Sequence, residues 1–410
     1  MMRRWGGALA IGMISCVGVC GASAQGPDHQ TAQTKPPVIE RGSPATTVPL
    51  DVRLGKLFLE AAVDGAAKEF IFDTGSPTIL AKDFAQSLDL KIVGRNTGRD
   101  ANGREVTMDV AVVDALSLGD VTFRDVRVLV FDFSQLELGP CMFDGGVIGS
   151  EIFPGSLWEI DTERRVLTIS APGAAPPAAA SSRAITLYDF GYPHTPIVDY
   201  SVGDVQDKAI FDTGNAEELI LFERVAQSDG VRKSMSKKSL QKGRGSDGVS
   251  AGGRGAIRDL RRFTLKDASL SAADIGPVRA TTRTTAPTLI GAGLLDRFVV
   301  TLDYPSNRFV LSEREKPEPT RPFPGYALSF VDGVATVTQL FEGSPAARAG
   351  LRLGDAVTAI NARATADLDA ESVCQATRWL GEALDRTAAV DLVVERAGRT
   401  RNVRIPAADE

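Results

Sequence analysis

Two segments of the chain join an aspartate to the residue types that would let it do acid–base chemistry. The first is Phe70-Ile71-Phe72-Asp73-Thr74-Gly75-Ser76, and the second is Ala209-Ile210-Phe211-Asp212-Thr213-Gly214-Asn215. In each, an apolar β-prone run ends on the carboxylate. A buried strand of this kind carries Asp73 or Asp212 into a low dielectric, where an ionised carboxylate is costly unless partnered. Two such carboxylates facing each other cannot comfortably both ionise, so they share one proton. The unprotonated member can act as general base on a bound water while the protonated member polarises a carbonyl. Gly75 and Gly214 lack a Cβ, which lets the backbone turn and approach closely. One Asp-Thr-Gly alone would read as a turn, since all three residues favour turns.

The elements needed to position these aspartates recur with them. A turn residue stands eight positions before each aspartate, Gly65 and Asp204. Val147-Ile148-Gly149 ends 76 residues after Asp73, and Leu289-Ile290-Gly291 ends 79 residues after Asp212. Twelve residues beyond each glycine come Ile160-Asp161 and Leu302-Asp303, followed by a turn and a strand. Four landmarks in the same order at near-equal spacing indicate two copies of one fold. Short β-prone runs such as Val126–Phe131, Leu167–Ile169, Phe298–Leu302 and Phe309–Leu311 make that fold mainly antiparallel β.

On these paired motifs, residues 47–312 resemble the retropepsin- and pepsin-like aspartic proteases. The resemblance implies two pseudo-twofold-related lobes, closed and barrel-like, at 47–170 and 183–312, acting on protein or peptide substrates. It makes Asp73 and Asp212 the catalytic dyad, with no metal and no cofactor. It implies that Thr74 and Thr213 hydrogen-bond across the axis and that Gly149 and Gly291 lie under the two loops. Ser76 would bond the outer oxygen of Asp73. Asn215 departs from the usual Ser, Thr or Ala beside Asp212 and reads as an asymmetry between the carboxylates. A flap falls near Thr97–Met108, with Gly98 and Gly103 for its tip, but it holds no tyrosine, so the pepsin-like flap tyrosine does not carry over. The matching stretch, Arg232–Arg262, is rich in Lys, Arg, Gly and Ser. It reads as a solvated, partly disordered loop, with a mobile basic lid favouring acidic substrates as the competing reading.

Composition agrees by exclusion. The 410 residues include 2 histidines and 4 cysteines, too few for clustered zinc chemistry. A histidine-based hydrolase would rest on His194 alone, which sits in a turn-rich stretch and reads as a satisfied loop residue. The formal net charge of −6 lacks the footprint of a nucleic-acid binder.

The third block, 325–408, carries Gly343-Ser344-Pro345-Ala346 followed by Ala349-Gly350-Leu351 and Gly354-Asp355. It resembles a bacterial, protease-associated PDZ domain of α+β type. That implies a C-terminal peptide ligand added as a strand at a sheet edge. The ligand carboxylate would meet backbone N–H groups around Tyr326, Ala327 and Leu328, and a helix over Ala370–Leu384 would form the other wall. An intramolecular packing module without a ligand is the plainer reading.

Residues 1–24 show the charged head, apolar middle and Ala22-Ser23-Ala24 end of a secretory signal peptide. Cleavage there exports the chain to a periplasmic or extracellular space. The membrane enters only if the segment stays uncleaved or Cys20 is lipidated. Residues 25–46 read as a disordered leader, and 171–182 and 313–324 as linkers. Cys141 and Cys374 fall in different blocks, so a disulfide between them is not expected. Against an exported endopeptidase stand a silent peptide-binding scaffold using the PDZ groove and an enzyme restricted to one regulatory cut.

Overall fold

A computed structural model describes residues 36–174, 182–318, 323–366, 368–383 and 388–407. The signal segment 1–24, the leader residues 25–35 and the linker residues 175–181 and 319–322 lie outside the described residues.

Two six-stranded rings account for most of the β structure. The first runs Lys56–Val63, Ala66–Phe72, Gly146–Ile148, Ile79–Ala81, Val121–Phe131 and Glu105–Leu118, and the last strand pairs back to the first. The second runs Ile197–Val202, Val205–Asp212, Thr288–Gly291, Leu219–Phe222, Ala273–Arg283 and Arg258–Leu270, closing in the same way. Strand order and direction match position by position, including the parallel pairs that flank each Asp-Thr-Gly. Closure explains the unbroken burial of Phe70-Ile71-Phe72: these residues lie on a strand paired on both edges and packed over a filled interior.

A sheet of six strands joins the two units. At its centre Leu157–Asp161 runs antiparallel to Phe298–Asp303, with Trp158 opposite Leu302. The sequence landmarks Asp161 and Asp303 therefore meet in one sheet, and each caps its own turn. Asp161 accepts from the Arg164 N–H at 2.9 Å, and Asp303 from the Ser306 N–H at 3.0 Å. Trp158 stacks on Phe72 and Phe123, and one hydrophobic core runs through both units.

The leader expectation is corrected over its second half. Val38–Arg41 pairs with Val121–Arg124, and Ala45–Pro49 pairs with Val166–Ser170. Backbone hydrogen bonding to strands far along the chain orders a polar segment that carries no periodicity of its own.

Residues 326–405 form a unit with its own core, built on Tyr326, Phe330, Val337, Val357, Leu392 and Val394. It contains the strands Tyr326–Val331 and Val334–Phe341, a short helix Pro345–Arg348 capped by Ser344, and the helix Ala370–Ala383. The basic stretch Arg232–Arg262 is ordered, contrary to the loop expectation. It contains the strand Gln241–Gly245 and a small hairpin, Val249–Ser250 with Gly253–Arg254. Gln241–Gly245 pairs with Arg258–Arg262 on one edge and with Gln339–Phe341 on the other, fusing the second ring to the C-terminal unit.

Candidate active site

The strand Ala66–Phe72 delivers Asp73 to a loop whose backbone is fixed by the Asp73 N–H, which donates to Ile148 O at 2.9 Å. Asp212 ends the strand Val205–Asp212 and stands opposite Gly291 in parallel register. The two loops meet at the junction of the rings through four hydrogen bonds related by near-twofold symmetry. The Thr74 hydroxyl donates to Phe211 O at 2.6 Å, and the Thr213 hydroxyl donates to Phe72 O at 2.7 Å. Each hydroxyl in turn accepts from the opposite backbone, Thr213 N at 3.0 Å and Thr74 N at 3.1 Å. Both threonines are fully buried, so each bond is made in a medium where its loss would leave groups unpaired.

The glycines set how close the carboxylates come. A Cβ on Gly75 would lie 2.5 Å from Asp212 Cγ, and one on Gly214 would lie 2.5 Å from Asp73 Cγ. Each loop thus needs glycine because the other loop's carboxylate occupies the space of a side chain. Gly149 and Gly291 lie under the loops. A Cβ on Gly149 would fall 2.5 Å from Thr78 N, and one on Gly291 would fall 2.6 Å from Asn215 O.

Burial and the proximity of Asp73 push Asp212 far above the ordinary carboxylate range, opposed by the positive charges of Lys56 and Arg283. Asp73 accepts the Gly75 N–H on Oδ1 at 2.9 Å. The two carboxylates therefore stand in unequal surroundings, with burial and a neighbouring carboxylate acting on Asp212 and a backbone N–H on Asp73.

Two expectations for neighbouring side chains are corrected. The Ser76 hydroxyl donates to Pro77 O at 2.9 Å and not to Asp73. Asn215 accepts the Glu217 N–H at 3.0 Å, closing its own turn, while its Nδ2 faces Gly291 without a hydrogen-bond partner among the described residues. In both cases the short side chain satisfies local backbone geometry ahead of the carboxylate.

Sequence reasoning missed Lys56 and Arg283. Lys56 reaches across the junction to donate to Gly214 O, and Arg283 donates to Ala101 O at 2.9 Å. Neither has a motif around it, since each acts through tertiary placement. Glu151 was also missed. It lies two residues past Gly149, is 4% exposed, and accepts the Thr78 N–H at 2.7 Å.

A roof closes over the junction. The hairpin Ile92–Arg99 with Glu105–Leu118 turns at Asp100–Arg104, where the sequence places the flap. Its tip binds the hairpin 249–254 from the second unit. Asn102 Nδ2 donates to Ser250 Oγ at 2.9 Å, Gly252 N to Asp100 Oδ2 at 2.8 Å, and Arg104 Nη1 to Gly252 O at 2.7 Å. Of the basic residues in this stretch, Arg232, Lys233, Lys237 and Lys238 are exposed and outside the roof hairpin, whereas Arg254 is part of it. His194 is satisfied as expected: its Nδ1 lies 2.8 Å from Asp189 Oδ2. Among the described residues, no group of three or more His, Cys, Asp or Glu side chains is disposed to hold a metal ion.

Comparison with known proteins bears on the first ring. Residues 59–152 match a family model described as aspartyl protease, a span holding the first Asp-Thr-Gly and Gly149. That match supports an aspartic protease fold over this span. No curated protein matches the chain. Among solved structures, the chain is similar to the aspartic proteinase from Irpex lacteus at 12% identity and a TM-score of 0.42. The similarity covers 66% of this chain and 98% of that one.

Proposed function

We propose that this chain is an exported aspartic endopeptidase in which Asp73 and Asp212 act as one acid–base pair. The observation that carries the reading is the mutual approach of the two Asp-Thr-Gly loops, each glycine making room for the other's carboxylate. Asp73, ionised, would take a proton from a water held between the carboxylates as the oxygen attacks the peptide carbonyl. Asp212 would give its proton to the developing oxyanion. Collapse of the tetrahedral adduct then passes a proton to the leaving nitrogen and restores the singly protonated pair. The threonine bonds keep the two carboxylates in one geometry, so little reorganisation accompanies each transfer.

The C-terminal unit is read as a PDZ-like module that recruits or regulates protein substrates, with Tyr326, Ala327 and Leu328 at its groove. The Cys141–Cys374 disulfide described below supports an oxidising compartment. Purified protein is assayed by digesting a broad peptide library, with Asp73→Asn and Asp212→Asn as controls. Cleavage that disappears in both variants and is blocked by a statine-type transition-state mimic is the expected result. Full activity in either variant would refute the dyad.

A further inference from the structure

The segment Leu136–Cys141 leaves the first ring and bridges to the C-terminal unit by three kinds of interaction. Leu136 packs in the core shared by the rings, whereas Leu138 packs against the core of the C-terminal unit, which is also contacted by Leu328 and Val373. Cys141 is joined by a disulfide to Cys374, with Cα atoms 5.0 Å apart, which overturns the expectation that these cysteines stay unpaired. Cys374 lies on the helix Ala370–Ala383, one residue from Val373.

Between those apolar and covalent anchors, Glu137 pairs with Arg254. The Arg254 Nε donates to Glu137 Oε1 at 3.0 Å. The same guanidinium donates to Ser329 Oγ at 2.9 Å and to Phe330 O at 3.3 Å. Asp332-Gly333, both at positive φ, form the two-residue turn between Val331 and Val334. In such a hairpin those two residues form the hydrogen-bonded pair, so the Phe330 carbonyl points away from the partner strand, toward the open edge. This edge, opposite the helix Ala370–Ala383, is where an added peptide strand would bind.

From these contacts we infer that the chain carries its own occupant for this groove, the segment Leu136–Cys141, and that the disulfide is its latch. This rests on the reading of the C-terminal unit as a peptide-binding module. Release requires reduction. A dithiol supplies two electrons and two protons, the Cys141 Sγ–Cys374 Sγ bond breaks to two thiols, and the dithiol leaves as its own disulfide. Both cysteines are half-buried, within reach of such a reagent. The latch also bears on the cleft, because Arg254 belongs to the hairpin that closes the roof against Asp100, Asn102 and Arg104. Opening the groove removes a restraint on that hairpin.

Hydrogen exchange on the full chain, oxidised and then reduced by dithiothreitol, compares two states of one sequence. Amides of Tyr326–Val331 and of Val249–Arg254 are expected to exchange at least about ten-fold faster after reduction. Superimposable exchange in the two states would overturn the latch. A fluorescein-labelled peptide spanning residues 133–142, with Cys141→Ser, then probes the groove by anisotropy. Its binding is expected to be at least about ten-fold tighter to a chain carrying Leu138→Asp and Cys374→Ser than to the oxidised wild type, because the tethered competitor is gone. Equal binding to both would overturn occlusion. Faster exchange without peptide binding would remove the module reading and leave the latch standing. Neither measurement reads cleavage, so both report even on a chain with a silent dyad.

Discussion

Replacing Glu151 by glutamine should stabilise the protein at neutral and alkaline pH and leave it unchanged in acid. The carboxyl is buried beneath the first Asp-Thr-Gly loop, where Oε2 accepts the Thr78 N–H and Oε1 has no hydrogen-bond partner among the described residues. Burial pushes its pKa from an ordinary 4.5 up to about 7, partly opposed by the Thr78 bond and by nearby His194. Between these values the folded chain keeps a proton that the unfolded chain has released. Stability therefore falls as pH rises through this window, and the loss is complete above about 7. At 1.36 kcal/mol for each unit, the full effect is about 3 kcal/mol. Glutamine is neutral throughout and keeps an oxygen for Thr78. Urea denaturation followed through the fluorescence of buried Trp158 should show the two proteins alike at pH 4 and the variant more stable by about 3 kcal/mol at pH 8. A difference that does not change with pH, or a variant less stable at pH 8, would refute the assignment of a buried neutral Glu151.

Three further outcomes test the junction itself. Thr74→Val keeps the shape but leaves Phe211 O without its donor and Thr213 N without its acceptor, so thermal unfolding should show a loss of about 2–4 kcal/mol. Gly214→Ala places a methyl 2.5 Å from Asp73 Cγ and must displace that carboxylate. Cleavage should fall by at least about 100-fold in a steady-state peptide assay while circular dichroism stays native. Lys56→Met removes a positive charge that holds Asp212 down, so the Asp212 pKa rises further and the alkaline limb of the pH–rate profile should move to higher pH.

What could be read from sequence was whatever is local. Strand, aspartate, threonine and glycine are contiguous, and each downstream glycine follows at a repeated interval, so the two loops and their partners could be named without coordinates. The closed rings were legible as short strands but not in their order. What stayed hidden depends on distant chain. Lys56 and Arg283 act through space, and nothing in their neighbours marks them. Cys141 and Cys374 are separated by 233 residues, and their pairing follows only from how the C-terminal unit sits against the first ring. Val38–Arg41 is ordered by its partner Val121–Arg124, and its own composition gives no hint of that. Asn215 shows the opposite error: a residue adjacent to the aspartate invited a role that its turn geometry does not give it.

The inequality of the two carboxylates was expected from Asn215 but arises from the backbone and from distant charge. On Asp73, the Gly75 N–H supplies a fixed dipole at Oδ1. On Asp212, burial and the neighbouring carboxylate favour the proton, and Lys56 and Arg283 keep that preference from becoming absolute. Both cations also bind backbone that shapes the cleft, Lys56 at Gly214 O and Arg283 at Ala101 O in the roof turn. Arg283 therefore stands between the roof turn and Asp212. A single guanidinium thus touches both the roof turn and the surroundings of Asp212, while Arg254 ties the hairpin that binds this turn to the C-terminal unit.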